Sequence, residues 1–391
     1  MKFLRRFPQK KTQRPTAYSL VDIGRNTIKA VVALRKPDTA ESEIIGYGLA
    51  ETGGHDISGG RLEAAAVTAP VNAALTQAED STEAVVGRKV VPDDVIFALA
   101  GRAAVGKLFT VQQVRPKPAD PIKAKELANL RSRAERLVRQ SLANLPVEGG
   151  QWQALAVTDA GIRLDNRLVL EGLGLTGQEI SFSVFGVAGQ AGALRALRVL
   201  ANRLDLEVVN VVAASQALAA ITPQAEAIIM DTGLSATDIC LIRDNALVAA
   251  GSIPFGGAFF TQAIAQALNL HLAEAEALKQ TFVAGQLPEA EADQIEAHLD
   301  GARCRWYDAV MEFLIQSTGT KPLPRKIYLT GGGNLLPGLD RLMRANPAPF
   351  QRAPEVARLG VQSLASAKDL THNLDYNLFG LALSLIVGLP E

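Results

Sequence analysis

The feature that most constrains this chain is a hairpin written twice. Around position 22 the sequence runs Val21-Asp22-Ile23-Gly24-Arg25-Asn26-Thr27-Ile28-Lys29-Ala30, and around position 231 it runs Met230-Asp231-Thr232-Gly233-Leu234-Ser235-Ala236-Thr237-Asp238-Ile239. In each, an apolar strand ends in Asp-x-Gly, a short polar tip follows, and a second apolar strand opens. One such tip is an ordinary turn. Two in the same layout, each followed by a third strand, predict two related α/β halves with a cleft between them.

The rest of the chain fits that frame. Strands are expected at Ala17 to Ile23, Ile28 to Leu34 and Glu43 to Ala50, a glycine-rich loop from Gly53 to Gly60, and then a helix through Leu62, Ala66, Val67, Val71 and Leu75. The stretch from 92 to 189 reads as a small inserted α+β unit. It has strands at Val95 to Ala100 and near Leu108 to Val114, a charged helix from Pro121 to Leu142, and two or three more strands. Its turns are marked by Pro116, Pro118 and Pro121 and by Gly149 and Gly150. An α/β alternation then resumes, with Ala227 to Asp231, Ala236 to Ile242, Ala246 to Ile253 and Lys326 to Thr330 as strands and helices through most of Gly257 to Gln316. Leu374 to Leu389 reads as a core helix. The expected division is a basic arm at 1–15, a first half built from 16–91, 190–222 and 371–391, the insert at 92–189, and a second half at 223–370 with a helical subdomain at about 257–325.

With 48% apolar and 20% charged residues the chain can bury a large core. Forty basic and forty acidic residues cancel, which removes any overall field for nucleic acid. The two cysteines, Cys240 and Cys304, build no disulfide framework, which fits a reducing cytoplasm. His55, His271, His298 and His372 stand singly and predict no zinc site. No apolar run is long enough to span a membrane. The neutral total hides an uneven distribution: Lys2, Arg5, Arg6, Lys10, Lys11 and Arg14 precede the first acid, with Phe3, Leu4 and Phe7 among them. That arm fits two readings, a peripheral foot on an anionic membrane or a solvated terminus.

The twin hairpins suit a nucleotide. Glycine at a tip lets backbone N–H groups approach phosphate oxygens, and a carboxylate at the strand end can hold Mg²⁺ through its waters. A third element, Ile327-Tyr328-Leu329-Thr330-Gly331-Gly332-Gly333-Asn334, puts three glycines between a strand and a helix start, where backbone can touch a base or an α-phosphate.

These three elements in this order resemble the actin and heat-shock-chaperone ATPase superfamily, which implies a duplicated, ribonuclease H-like α/β fold binding ATP and Mg²⁺. Finer resemblance is to FtsA, the actin-like protein of bacterial cell division. It rests on Val95 to Gly101 (VIFALAG), on Ile253-Pro254-Phe255-Gly256-Gly257 and on Ala273-Glu274-Ala275-Glu276-Ala277-Leu278-Lys279. The resemblance implies nucleotide contacts from Gly24, Arg25, Asn26, Thr27 and Lys29, from Gly233, Leu234, Ser235 and Thr237, from Gly256 and Gly257, and from Gly331, Gly332, Gly333 and Asn334. It puts Glu276 and Lys279 at the ribose and base, and Asp22 and Asp231 at the metal. Arg25 and Asn26 read equally as turn-shaping residues, and Glu276 and Lys279 as a solvated ion pair.

Three departures from that family stand out. The tip Gly233-Leu234-Ser235-Ala236 carries side chains where a glycine run is usual. The helix that normally opens with an acid and a proline beside the attacking water reads Ala214-Ser215, with Gln216 next, so the expected ATPase activity is weak or absent. FtsA ends in a membrane helix, whereas this sequence stops at Glu391, so membrane attachment would fall to the basic arm. The resemblance therefore implies a cytoplasmic, membrane-peripheral scaffold that forms filaments with itself and docks the tubulin-like protein FtsZ. The runner-up is the PilM-like branch, which serves type IV pilus assembly. A small-molecule kinase of the same superfamily would need a carboxylate base, for which Asp238 is the candidate.

Overall fold

The computed structural model describes residues 15–36, 41–53, 63–143, 145, 151–319, 321–360 and 367–390. The basic arm at 1–14, most of the loop from Gly53 to Gly60, Leu62 and the Gly149–Gly150 turn lie outside them.

The first hairpin is β1 (Thr16–Ile23) and β2 (Thr27–Arg35), joined by β3 (Ser42–Glu51). After α1 (Ala64–Val86), β4 (Asp94–Leu99) returns parallel to β1. Then come β5 (Ala104–Val114), α2 (Ala124–Ala143), β6 (Trp152–Leu164), β7 (Arg167–Val169) and β8 (Glu179–Gln190). The chain continues through α3 (Ala191–Arg203), β9 (Glu207–Ala213) and α4 (Ala214–Ala220). The second hairpin is β10 (Ala227–Thr232) and β11 (Thr237–Arg243), followed by β12 (Ala246–Ile253). Helices α5 (Gly257–Leu268), α6 (Leu272–Val283) and α7 (Glu289–Thr318) precede β13 (Lys326–Thr330), and α8 (Leu339–Ala345), β14 (Glu355–Arg358), β15 (Ala367–Asp369) and α9 (Tyr376–Ser384) complete the chain.

The duplication is visible in the strand order. One sheet runs β15-β3-β2-β1-β4-β9, and the other begins β14-β13-β10-β11-β12. In both, an antiparallel meander of three strands is continued by two strands parallel to its first member. The central strands are apolar on both faces because both faces are covered. On the first sheet, α1 and α3 cover one side through Val67, Val71, Leu194 and Leu197. The other side meets α4, α9 and the second sheet in a shared core that includes Leu20, Ile96, Leu218, Phe379 and Ile229. The outer face of the second sheet packs on α5 to α8 around Phe260, Trp306 and Leu314.

Two expected boundaries are corrected. The insert does not begin at 92, because β4 sits between β1 and β9 inside the first sheet, where its unbroken apolar run DVIFAL needs cover on both faces. Nor does the second half extend to 370, since β15 pairs with β3 of the first sheet. The insert comprises β5 to β8 with α2 packed over Phe109, Phe182 and Val184. Its strands extend the second sheet in the order β12-β5-β8-β6-β7, joined at β12 by two residue pairs, Ala249 with Lys107 and Ala250 with Gly106. The C-terminal helix expected through Leu389 is α helical only to Ser384, where a 3₁₀ turn takes over. It is capped by the Asp375 carboxylate, which accepts from Asn377 N at 2.9 Å.

Candidate functional site

Both hairpins close in the same way. Gly24 N donates to Thr27 O at 3.1 Å, and Gly233 N donates to Ala236 O at 2.9 Å. In cross-strand register Asp22 faces Lys29, while Asp231 faces Asp238, so the position of the cation in one hairpin is held by a second acid in the other. Lys29 Nζ lies 3.2 Å from Asp22 Oδ2. The first tip is fastened from behind by the buried Thr52, whose N–H donates to Asn26 O at 2.8 Å and whose hydroxyl donates to Gly24 O at 2.8 Å. The second tip is fastened by the start of α5, where Gly257 N donates to Gly233 O at 2.9 Å and Ala258 N to Leu234 O at 2.8 Å.

The glycine run after β13 comes up against the second hairpin. Gly331 has φ +85°, donates to Asn377 O at 3.1 Å, and leaves no room for a Cβ against the Asp231 carboxylate. A Cβ on Gly333 would lie 2.9 Å from Thr232 O. From the far side α6 supplies Glu276 and Lys279. Lys279 is buried, and its ammonium reaches Glu276 Oε2 at 2.7 Å, Thr261 Oγ1 at 2.8 Å and Gly257 O at 3.1 Å, with Thr261 also hydrogen-bonded to Glu276. Burial pushes the Glu276 carboxyl up, but the hydrogen bonds from Lys279 and Thr261 outweigh it and hold it below the usual range. The pair is a built part of the wall.

These elements enclose a cleft of about 410 Å³, the size of a small-molecule site. The first hairpin lines it with Asp22, Gly24, Arg25, Asn26, Thr27 and Lys29, and the second with Asp231, Gly233, Leu234 and Ser235. Gly257, Glu276 and Lys279 form one end, and Gly331, Gly332 and Gly333 another wall. Three expected contacts do not line it. Thr237 is buried behind the second tip, donating to Phe255 O at 2.7 Å and accepting from Trp306 Nε1 at 3.0 Å. Gly256 is packed against the tip carbonyls of Gly233 and Leu234, and Asn334 turns away to donate to Asn377 Oδ1 at 2.7 Å. The residues that sequence reasoning missed are mostly small or apolar: Ala98 in β4, Ala100 and Gly101 just after it, Leu378 and Leu381 of α9, and Leu335 and Leu336. Gln280 and Val283 carried a usable signal, since with Glu276 and Lys279 they complete one face of a helix. Ala214 opens α4 with no acid in its first turn, and Gln216 does not line the cleft.

One end of the cleft is strongly acidic. Asp22, Asp231 and Asp238 share it with Lys29, and burial, reinforced by Asp238 and then Asp22, pushes the Asp231 carboxyl from its ordinary 3.8 up to about 7. Three crowded carboxylates and one cation suit a hydrated divalent ion, and no group of three metal-ligating side chains at direct-coordination spacing occurs among the described residues. A carboxyl that keeps its proton longer in the folded chain than in the unfolded one lowers stability as pH rises between the two values. The protein in chelator is therefore expected to lose stability as pH rises from about 4 to about 7, by up to about 4 kcal/mol from Asp231, with Asp231→Asn reducing the slope to the part that Asp238, also pushed up by burial, still contributes. Urea titrations at pH 5 and pH 8 check this, and equal slopes for wild type and variant would refute it.

Two duplicated sheets of this order, with twin Asp-x-Gly hairpins facing each other across one cleft, define an actin-like fold. The sequence model of the family described as cell division protein FtsA matches residues 228–372, the second hairpin through β15. Among solved structures, the PilM–PilN type IV pilus biogenesis complex matches with a TM-score of 0.62 at 20% identity, covering 95% of this chain and 98% of that one. The nucleotide-free diol dehydratase-reactivating factor matches with a TM-score of 0.55 at 12% identity, covering 95% and 99%. The ethanolamine utilization protein EutJ from Carboxydothermus hydrogenoformans matches with a TM-score of 0.51 at 14% identity, covering 96% and 90%. No curated protein sequence matches the chain.

Proposed function

We propose that this chain binds ATP with Mg²⁺ in the cleft and acts as an FtsA-like, filament-forming scaffold at the inner face of the cell membrane, with FtsZ as its docking partner. The observation that carries the nucleotide reading is the convergence of two glycine-tipped hairpins and a triple-glycine loop on one 410 Å³ cleft with three carboxylates at one end. In this reading the hairpin N–H groups and Lys29 hold phosphates, Asp22 and Asp231 hold Mg²⁺ through its waters, and Gly331 to Gly333 face the base. Glu276 and Lys279 meet the ribose. The match of 228–372 to the FtsA family supports the division role. The missing acid at Ala214 supports a scaffold governed by which nucleotide is bound rather than by rapid turnover.

The test follows phosphate release and pelletable polymer from the full chain with ATP and Mg²⁺, comparing wild type with Asp22→Ala and Asp231→Ala. Polymer that requires ATP and both aspartates, with little phosphate released, is expected. No nucleotide response in either readout would sink the reading. In the same sedimentation format, removing residues 1–14 is expected to abolish association with anionic liposomes, and unchanged association would exclude the arm as the membrane contact.

A second reading has an observation of its own. The likeness to PilM runs over nearly the full length of both chains, insert included. In this reading the protein is a PilM-like cytoplasmic component of pilus assembly. Co-precipitation decides between the two: recovery of a pilus inner-membrane peptide without FtsZ would favour PilM.

A further inference from the structure

The outer end of the insert gathers exposed apolar side chains that elsewhere stand mostly singly: Leu168, Leu170, Leu173 and Leu175, with Leu170 entirely in solvent and Leu173 more than half so. A cluster of this kind marks a surface that meets something. The segment that carries it is braced. Ile122 N donates to Leu175 O at 2.8 Å and Gly174 N to Ile122 O at 2.9 Å, which ties it to the approach to α2. The buried Arg115 completes the tie, donating to Glu126 Oε1 of α2 at 2.8 Å, to Asp120 O at 2.9 Å and to Gly177 O at 3.0 Å. The same corner is basic. Lys123 and Lys125 come straight after Ile122, and with Arg133 and Arg136 farther along α2 they are exposed and carry no ion pair among the described residues. The acids of that stretch, Glu126 and Glu135, are half-buried and already paired, the first with Arg115 and the second with Arg131 and Arg139. In a chain of zero total charge, α2 thus shows solvent a cationic face, and Glu171 is the single acid between 167 and 177.

We propose that this corner of the insert is a membrane contact, in which Leu170 and Leu173 enter the interface of an anionic lipid surface while Lys123, Lys125 and the arginines of α2 meet its headgroups. Two observations favour lipid over a protein partner. Leu170 stands out from the surface, whereas a peptide is taken up by a groove. Cations also border the apolar cluster, the arrangement in which leucines sink below the headgroups while long basic side chains reach back to them. The inference rests on the membrane-peripheral part of the reading above and adds a second anchor to the basic arm. One short anchor holds a protein on a membrane only marginally, and two on one chain hold it far more tightly than either alone.

The experiment sediments the full chain with vesicles of phosphatidylcholine alone and of phosphatidylcholine mixed with phosphatidylglycerol. Wild type is expected on the mixed vesicles and not on the neutral ones. Leu170→Ser combined with Leu173→Ser is expected to weaken that binding about tenfold. Lys123→Glu combined with Lys125→Glu is expected to weaken it by at least about tenfold and to flatten its dependence on salt. All four side chains are exposed and none lines the cleft, so the urea midpoint and the Kd for ATP should stay at wild-type values. Leu170→Trp reads insertion directly: its emission should move to the blue on mixed vesicles, beyond any change in wild type. Unchanged vesicle binding in the leucine pair overturns the inference and leaves the corner to a protein partner, while the membrane reading still stands on the arm. Strong and equal binding of wild type to both kinds of vesicle overturns it as well. A wild type that binds neither overturns the membrane reading and this inference with it.

Discussion

Replacing Gly331 by alanine is expected to weaken nucleotide binding by at least about 100-fold, which corresponds to roughly 2.7 kcal/mol. With φ +85° and ψ +155° its backbone lies in a region that is essentially glycine's alone, at a cost of about 1–3 kcal/mol for a residue with a Cβ. The larger effect is steric. The added methyl would meet the Asp231 carboxylate and lie 2.6 Å from Thr232 O, so either the glycine loop or the end of β10 must shift. Both are walls of the same cleft, and a shift also strains the bond from Gly331 N to Asn377 O that ties the loop to α9. Gly301→Ala is the control: it lies in α7, outside the cleft lining, and a Cβ there meets nothing within contact distance. Titration with a fluorescent ATP analogue, alongside urea unfolding of both variants, tests the pair. Wild-type affinity and stability in Gly331→Ala would show that the loop does not need its close approach.

The second large effect is on stability. Trp306→Ala should cost about 3–5 kcal/mol, because the indole is fully buried at the centre of the core under the second sheet and its removal leaves a cavity ringed by several helices. It also removes the donor to Thr237 Oγ1, the side chain that stands directly behind the second tip. Trp306→Phe fills most of the volume and should cost about 1–2 kcal/mol, the price of the lost hydrogen bond and a smaller void. Chemical denaturation resolves the two, and a loss below 1 kcal/mol for Trp306→Ala would contradict the packing described for α7. Because Thr237 carries the tip, the alanine variant should also lose nucleotide affinity when assayed below its melting point.

The sequence made the central strands plain, because β1, β2, β10 and β13 are short apolar runs ended by glycine or a polar tip. The twin hairpins then announced that the second sheet would copy the first. Edge strands were illegible. β7, β14 and β15 are three or four residues long, and segments such as Arg167–Val169 and Ala367–Asp369 have no alternation to read. The allegiance of β4 was misjudged for another reason: its partner β1 lies more than seventy positions earlier, at the Tyr18–Asp94 pairing, and no local pattern names a distant partner. Its unbroken apolarity was the overlooked sign of a central strand. At the cleft, residues whose chemistry is distinctive were found, while those that act by being small or apolar, such as Ala100, Gly101 and Leu381, carry no motif. Thr52 shows the same limit. A threonine at the end of a strand is commonplace until the tip it clamps is seen.

The insert leaves the first half of the chain after Gly101 and returns to it at Ala191, yet its strands hydrogen-bond to β12 of the second half. Chain order gives it to one half and the sheet gives it to the other. The ladder between the insert and β12 is only two residue pairs wide, steadied by the Arg163–Asp244 ion pair at 2.7 Å and by Phe185 and Val187 of β8, which pack into the core the two halves share. Three strands, β5, β8 and β6, separate that seam from β7 at the outer rim, a span of about 15 Å at the usual strand spacing. Over that span a rotation of about 5° moves the rim, where the fully exposed Leu170 sits, by about 1 Å, so the insert reports the setting of the second half more than it amplifies it.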